Sequence, residues 1–430
     1  MVKDDVKKRV LETIDRRRDE IVGFLQQMIR IPSPLGEERD IELFVANKLK
    51  SMGLSVDMWE PDVEVLKKHP DFISYPLLEE KGFKDRPVVV GTFKGTGGGR
   101  SLMLQGHLDV MPAWNRDQWI HDPWSGVIEG DKLYGRGAYD MKGGAAAMIM
   151  ALDSVLKTGV KPKGDVIIES VLDEEQGGAS TVACCLRGYK ADAAIITEPT
   201  DCMIIAASQG FYYLNVKVKG KSAHAARRWE GVSAIEKAFK VYQAIENLQN
   251  EREKKVSHPA YERSRYPYFV PLVVGAIESG VEHGGVPAEA VLKVRMGFLT
   301  NEDPQDVLRE FEEALKKVAD ADPWMREHPP EIEQAMFVKA GGIDIDHPII
   351  QTLKSAYKTV TQTEPIVTGK TAGNEQRLLV HVAKTPTILF GIAGGEAHSP
   401  NEYLGPIESL IVVTKSLALT ILDWCGAEGH

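Results

Sequence analysis

Cysteine is scarce in this chain, and the four present, Cys184, Cys185, Cys202 and Cys425, form no C-x-x-C pair. Adjacent Cys184 and Cys185 would bridge only with strain, so neither a disulfide framework nor a thiolate zinc cage is expected. Low, unpatterned cysteine is usual in a reducing compartment. Long apolar runs are missing too: none approaches the roughly 18 residues that span a bilayer. The opening Met1-Val-Lys-Asp-Asp-Val-Lys-Lys-Arg9 leads into a charged amphipathic stretch and not the apolar core of a signal peptide. Together these predict a cytoplasmic protein without a membrane partner. A surplus of positive charge is also absent, with 52 Lys and Arg against 62 Asp and Glu and a formal charge of −10. With no dense basic run carrying interleaved aromatics, nucleic acid is not the expected partner.

What remains is an ordinary globular composition, 43% hydrophobic and 27% charged over 430 residues, a length with a prior of roughly two to three domains. Val6, Val10, Ile14, Ile21, Leu25 and Met28 recur at helical spacing up to Pro32. A second helix runs from about Glu37 to a stop at Gly53, ahead of a strand at 54–58. Residues 60–87 are proline-punctuated and without period, and read either as an ordered excursion lining a pocket or oligomer contact, or as a surface loop. Strand and helix then alternate: apolar runs at 88–93, 101–105, 166–172, 193–196 and 387–390, with a helix from about Met141 to Leu156. This predicts an α/β fold, a mixed sheet covered by helices. Residues 209–330 have another rhythm, strand, helix, two strands and a helix opened by Pro304, and read as an inserted α+β, ferredoxin-like domain. The main domain is expected over 1–208 and 331–430.

Candidate chemistry collects at one address. His107, Glu175, Glu198 and His398 each lie past the end of an expected strand, and Asp140 just before a helix. Open α/β sheets bind ligands outside the carboxyl ends of their strands. Two imidazoles and three carboxylates suit Zn²⁺, Co²⁺ or Mn²⁺. One carboxylate can bridge two such ions, leaving each a histidine and a further carboxylate, as in hydrolytic centres. Glu174, beside Glu175, can stand off the metals as general base. Asp109, two residues past His107, fits the acceptor of the second imidazole N–H.

The segments Gly106-His107-Leu108-Asp109, Leu133-Tyr-Gly-Arg-Gly-Ala-Tyr-Asp140-Met-Lys-Gly-Gly144, Asp173-Glu174-Glu175, Thr197-Glu198-Pro199 and Ala397-His398-Ser-Pro-Asn-Glu402 resemble the M20 metallopeptidase family, in order, across roughly residues 20–425. The resemblance implies a dinuclear site of two divalent ions per subunit, Zn²⁺ first and Co²⁺ or Mn²⁺ as alternatives. Asp140 would bridge, with His107 and Glu198 on one metal and Glu175 and His398 on the other. It also implies that the inserted domain makes a homodimer and acts as a lid, with His224 reaching the partner subunit's site to stabilise an oxyanion.

The chain departs from the family pattern at Gly284, where relatives usually carry Asn, and at Glu375, where they carry Asp. Asn374, Glu375 and Arg377 are the candidate substrate-binding residues, Arg377 as a bidentate clamp for a carboxylate. The expected reaction is hydrolysis of a linear amide C–N bond in a small N-acyl or N-formyl amine or amino acid. The alternatives are an exopeptidase or dipeptidase, and an aminohydrolase acting on an aromatic amine. Some family members deformylate an aminopyrimidine, so the resemblance admits a heterocyclic substrate.

Overall fold

The computed structural model describes residues 2–280 and 282–427. The chain divides into two compact units. One runs up to Ala206 and resumes over Gly342–Thr368 and from Asn374; the other is Ala207–Gly341 with Gly369–Gly373.

The first unit is built on a mixed sheet. Its strands lie in the order Ser55–Trp59, Val88–Phe93, Val166–Val171, Leu102–His107, Ala193–Ile196, Thr387–Leu389, Ile204–Ser208. Leu102–His107 runs parallel to both neighbours, and Thr387–Leu389 runs parallel to Ala193–Ile196. The outer pairings of Ser55–Trp59 with Val88–Phe93, and of Val88–Phe93 with Val166–Val171, are antiparallel. These inner strands are buried along their whole length, which is why they read as continuous apolar runs without alternation.

Helices cover the sheet. The amino-terminal stripe is two helices, Asp4–Arg16 and Arg18–Ile29, where the periodicity suggested one. Arg17 breaks the run at φ −100° and ψ 13°, and its guanidinium is drawn to Glu20 and Asp153. Helix Lys142–Lys157 is buried over nearly its whole length. Gly144 is required there, because a Cβ at that position would collide with the Thr197 carbonyl of the loop that carries Glu198.

Residues 60–87 are an ordered excursion with short helices Val63–Leu66 and Pro76–Lys81. Leu66, Tyr75, Leu78 and Phe83 pack with Ala179, Val182 and Leu378 in an apolar cluster. No residue among them supplies a regular stripe, so periodicity could not reveal the packing.

The second unit has a four-stranded antiparallel sheet in the order Leu272–Ser279, Glu289–Phe298, Gly210–Lys219, Glu331–Val338. Helices Ala234–Lys255 and Pro304–Ala321 complete a β-α-β-β-α-β unit, the ferredoxin-like arrangement. The second helix starts where Asp303 accepts hydrogen bonds from the N–H groups of Gln305 and Asp306, with Pro304 at the first position. The sequence reading returned the chain to the main domain at 331, but that position opens the fourth strand of the insert. Its alternation is weak because Glu331–Val338 is an edge strand with mostly exposed or half-exposed residues. The unit therefore extends to Gly341.

No helix among the described residues is long and apolar enough to cross a membrane. The four cysteines are free thiols.

Candidate metal centre

The parallel strands bring their carboxyl ends together, and the candidate residues come with them. His107 is the last residue of Leu102–His107. Glu174 and Glu175 form a short turn just past Val166–Val171, and Glu198 lies two residues past Ala193–Ile196. Asp140 precedes helix Lys142–Lys157. His398 follows the short strand Gly394–Gly395.

Asp140 stands at the middle. Its Oδ1 is 3.3 Å from His107 Nε2 and its Oδ2 is 3.4 Å from His398 Nε2. Glu198 Oε1 lies 3.6 Å from His107 Nε2, and Glu175 Oε2 lies 2.9 Å from His398 Nε2. One carboxylate thus faces two imidazoles through separate oxygens, and each imidazole has a carboxylate of its own. Ligand atoms of His107, Glu174 and Glu198 fall within 4.8 Å of one another, as do those of His107, Asp140 and Glu175. Glu174 therefore lies beside His107 and Glu198, within reach of whatever they hold.

His107 Nδ1 is 2.9 Å from the Asp109 carbonyl oxygen and 3.4 Å from Asp109 Oδ1. The carbonyl acceptor and the nearby Asp109 charge favour a proton on Nδ1, so that Nε2 is the nitrogen turned to Asp140 and available to a cation. Asp109 Oδ2 also accepts from the Glu175 N–H at 3.3 Å, tying two ligand loops together.

The electrostatics of this cluster favour added positive charge. Burial pushes Glu174 well above the ordinary carboxylate range, and the Glu198 charge pushes it further. Burial likewise raises Glu175 to about 7, against the opposing hydrogen bond from His398. His398 is raised to about 10 by hydrogen bonds to Asp140 and Glu175. Burial disfavours the His107 imidazolium, and Asp109, Asp140 and Glu198 more than offset this, so its pKa also rises. Protons hold the like-charged acids together, and divalent cations are their natural replacement. Glu175 Oε1 and Asp109 Oδ1 are buried and receive no hydrogen bond, so polar capacity stands open beside the cluster. The residues fit a pair of divalent ions.

Of the other candidates, Arg377 is buried and donates from Nη2 to the Gly177 carbonyl at 2.8 Å. Glu375 is buried, accepts a short hydrogen bond from Thr181, and is pushed up to about 8 by burial. Asn374 Oδ1 accepts from the Gln376 N–H at 2.9 Å, in the turn that leads into the short helix Gln376–His381. His224 belongs to the second unit, is exposed, and accepts at Nδ1 from the Ala226 N–H at 3.1 Å.

Sequence reasoning missed the support of Asp140. Glu402 is fully buried; its Oε1 accepts from the N–H groups of Tyr139 at 3.1 Å and Asp140 at 3.0 Å. Its Oε2 accepts from Arg136 Nη1 at 2.6 Å. Arg136 and Glu402 both lie in the motif segments, but a pairing across 266 positions carries no local signal.

A mixed α/β sheet with one imidazole at a strand end, and a second brought beside it from the loop after Gly394–Gly395, around one shared carboxylate suits hydrolases that work with paired cations. Residues 103–423 match the model of peptidase family M20/M25/M40, and the chain belongs to that family. It is 30% identical over 451 aligned positions, covering 99% of both chains, to N-formyl-4-amino-5-aminomethyl-2-methylpyrimidine deformylase of Halalkalibacterium halodurans. The Bacillus subtilis protein of the same name is 28% identical over 96% of each chain. Human carnosine dipeptidase 1 shares the fold, with a TM-score of 0.70 at 18% identity over 98% of this chain and 99% of that one.

Proposed function

We propose that this chain is a metal-dependent amidohydrolase that removes a small acyl group, formyl foremost, from an amine by hydrolysing a linear C–N amide bond. The observation that carries the reading is Asp140, with one oxygen 3.3 Å from His107 and the other 3.4 Å from His398. Full-length similarity to two deformylases supports the acyl group. His107, Glu198 and Asp140 would hold one divalent ion, and Asp140, Glu175 and His398 the other, Zn²⁺ first and Co²⁺ or Mn²⁺ as alternatives. When bound, the ions supply polarisation of the amide carbonyl and acidification of water. Glu174 takes a proton from the attacking water and returns it to the departing nitrogen. Asp109 holds the His107 tautomer, and Glu402 with Arg136 fixes the backbone at Asp140. Arg377, with Glu375 and Asn374 beside it, is the proposed contact for the substrate's far end.

The active form proposed is a cytoplasmic homodimer made through the inserted unit. Leu272–Ser279 is an edge strand with Val273 and Ile277 exposed, and Phe239 on helix Ala234–Lys255 is 64% exposed, surface that a partner would cover. His224 of the partner subunit would then donate to the oxyanion.

Replacing Glu174 with Gln tests the mechanism. Metal content should stay and kcat should fall about 10²–10⁴-fold, the range of a lost general base; an active Glu174→Gln enzyme overturns the assignment. A panel of N-formyl amines, N-acyl amino acids and dipeptides, read by released amine, tests the substrate class. The dipeptidase reading, favoured by the shared fold with carnosine dipeptidase 1, wins if dipeptides alone are cleaved.

A further inference from the structure

Arg86 closes the 60–87 excursion and is 1% exposed. Its Nε donates to Glu38 Oε2 at 2.8 Å and its Nη2 to Glu38 Oε1 at 2.7 Å, a two-pronged pair that fixes the guanidinium plane. Nη1 donates to the Tyr75 hydroxyl at 3.1 Å. The same Nη2 makes a short ion pair with Asp173, whose side chain, like that of Glu38, is fully buried.

Asp173 is the hinge on which Glu174 and Glu175 turn. It is left-handed, at φ 66°, and its carbonyl accepts from the N–H groups of Gln176 at 3.1 Å and Gly178 at 2.7 Å. A non-glycine residue in this conformation needs surroundings that hold it there. At the far side of the turn, the Ile73 side chain fills the space against Gly177, where a Cβ would lie 3.0 Å from Ile73 Cβ. The excursion therefore grips the Glu174–Glu175 turn at both ends, by an ion pair at Asp173 and by apolar contact at Gly177. Nothing in the metal cluster itself requires a buried arginine at this place, and a buried triad of one base and two acids is expensive to retain unless its geometry is useful.

We propose that Arg86 is a positioning residue for the metal centre: through Asp173 it sets where the Glu174 and Glu175 carboxylates point, and the 60–87 excursion exists in part to deliver it. The proposal rests on the metal-centre reading above. Misplacing a reacting group by about 1 Å costs on the order of 10²-fold in rate, and loosening the groups that orient a ligand costs about 10–100-fold in metal affinity.

The test uses the full chain as wild type, Arg86→Lys and Tyr75→Phe. Each is titrated with Zn²⁺ by calorimetry, melted with and without Zn²⁺, and assayed for kcat and KM on whichever panel substrate the wild type cleaves. Arg86→Lys keeps the charge but loses the fork. It should weaken one of the two Zn²⁺ sites by about 10–100-fold, leave the other within about threefold, and lower kcat while KM stays within about threefold. Tyr75→Phe, which removes a single hydrogen bond and serves if Arg86→Lys does not fold, should do the same by about 3–10-fold. A purely structural arginine would lower the melting temperature yet leave both Zn²⁺ affinities and kcat per folded enzyme at wild-type values, and that result overturns the proposal. Equal weakening of both sites overturns it too. A wild type that binds no Zn²⁺ refutes the metal reading instead, and the kcat against KM split then decides the role of Arg86 alone.

Discussion

Stripping metal from the protein should lower its melting temperature by an amount the structure allows to be worked out. The candidate ligands all belong to one compact unit of about 290 residues. At about 2.1 cal/mol/K per residue, that unit melts with an entropy near 0.6 kcal/mol/K. Each ion present at about 100 times its dissociation constant adds about 2.7 kcal/mol to the folded state. One site is then worth about 4–5 °C and two about 9 °C. Were the whole chain of 430 residues to melt in one transition, its larger entropy would reduce the combined shift to about 6 °C. Scanning calorimetry of protein holding two equivalents of Zn²⁺, against the same protein dialysed with chelator, measures the gap.

The sign of its pH dependence follows from the cluster. In the metal-free protein His398, raised to about 10 by Asp140 and Glu175, contributes stability that is complete below its unfolded value and declines as pH rises toward 10. Glu175, raised to about 7 by burial, contributes an increasing cost as pH climbs from its unfolded value to 7. Metal binding displaces those protons and strengthens over the same interval. The gap between metal-bound and metal-free melting temperatures should therefore widen from pH 6 to pH 8. A shift under about 1 °C in protein shown to have lost two bound ions, or a gap that narrows with pH, refutes the reasoning.

Three further outcomes are expected. Asp109→Asn, which removes the negative charge 3.4 Å from His107 Nδ1 and weakens the acceptor for the Glu175 N–H, should reduce Zn²⁺ affinity by about 10–100-fold, read by competition with a chromogenic chelator. Glu402→Gln leaves buried Arg136 without its counter-charge and should cost about 3 kcal/mol in urea unfolding of the metal-free protein; a loss below about 1 kcal/mol would contradict the account of how Asp140 is held. His224→Ala should fold like the wild type, since the side chain is exposed, yet lose about 10²–10³-fold in kcat. Refolding it mixed with Glu174→Gln should restore activity if the histidine serves the partner's site, and no restoration would place it elsewhere.

The gathering of the candidate ligands was legible in the linear chain to an unusual degree, and the reason is geometric. In a parallel sheet every strand end opens on the same edge, so a residue one to four positions past an apolar run already has an approximate location. His107, Glu175 and Glu198 could be placed that way because Leu102–His107, Val166–Val171 and Ala193–Ile196 announce themselves as continuous apolar runs. The alternating strand Gly210–Lys219 and the capped helix at Pro304 made the insert visible in the same way.

The edge strand Glu331–Val338 was not legible, because exposure on most of its residues erases the alternation that marks a strand. Nor was the packing of residues 60–87, whose apolar side chains fill gaps against Ala179 and Leu378 and follow no period of their own. The sequence by itself determined which residues could bind cations and at which strand ends they would emerge, since both follow from residue chemistry and from the period of buried apolar runs. Only the tertiary structure decided how those residues are aimed: Glu402 with Arg136 behind Asp140, and Arg86 with Glu38 behind Asp173. Such pairs join positions far apart in the chain through buried charge, and local propensity carries no trace of them.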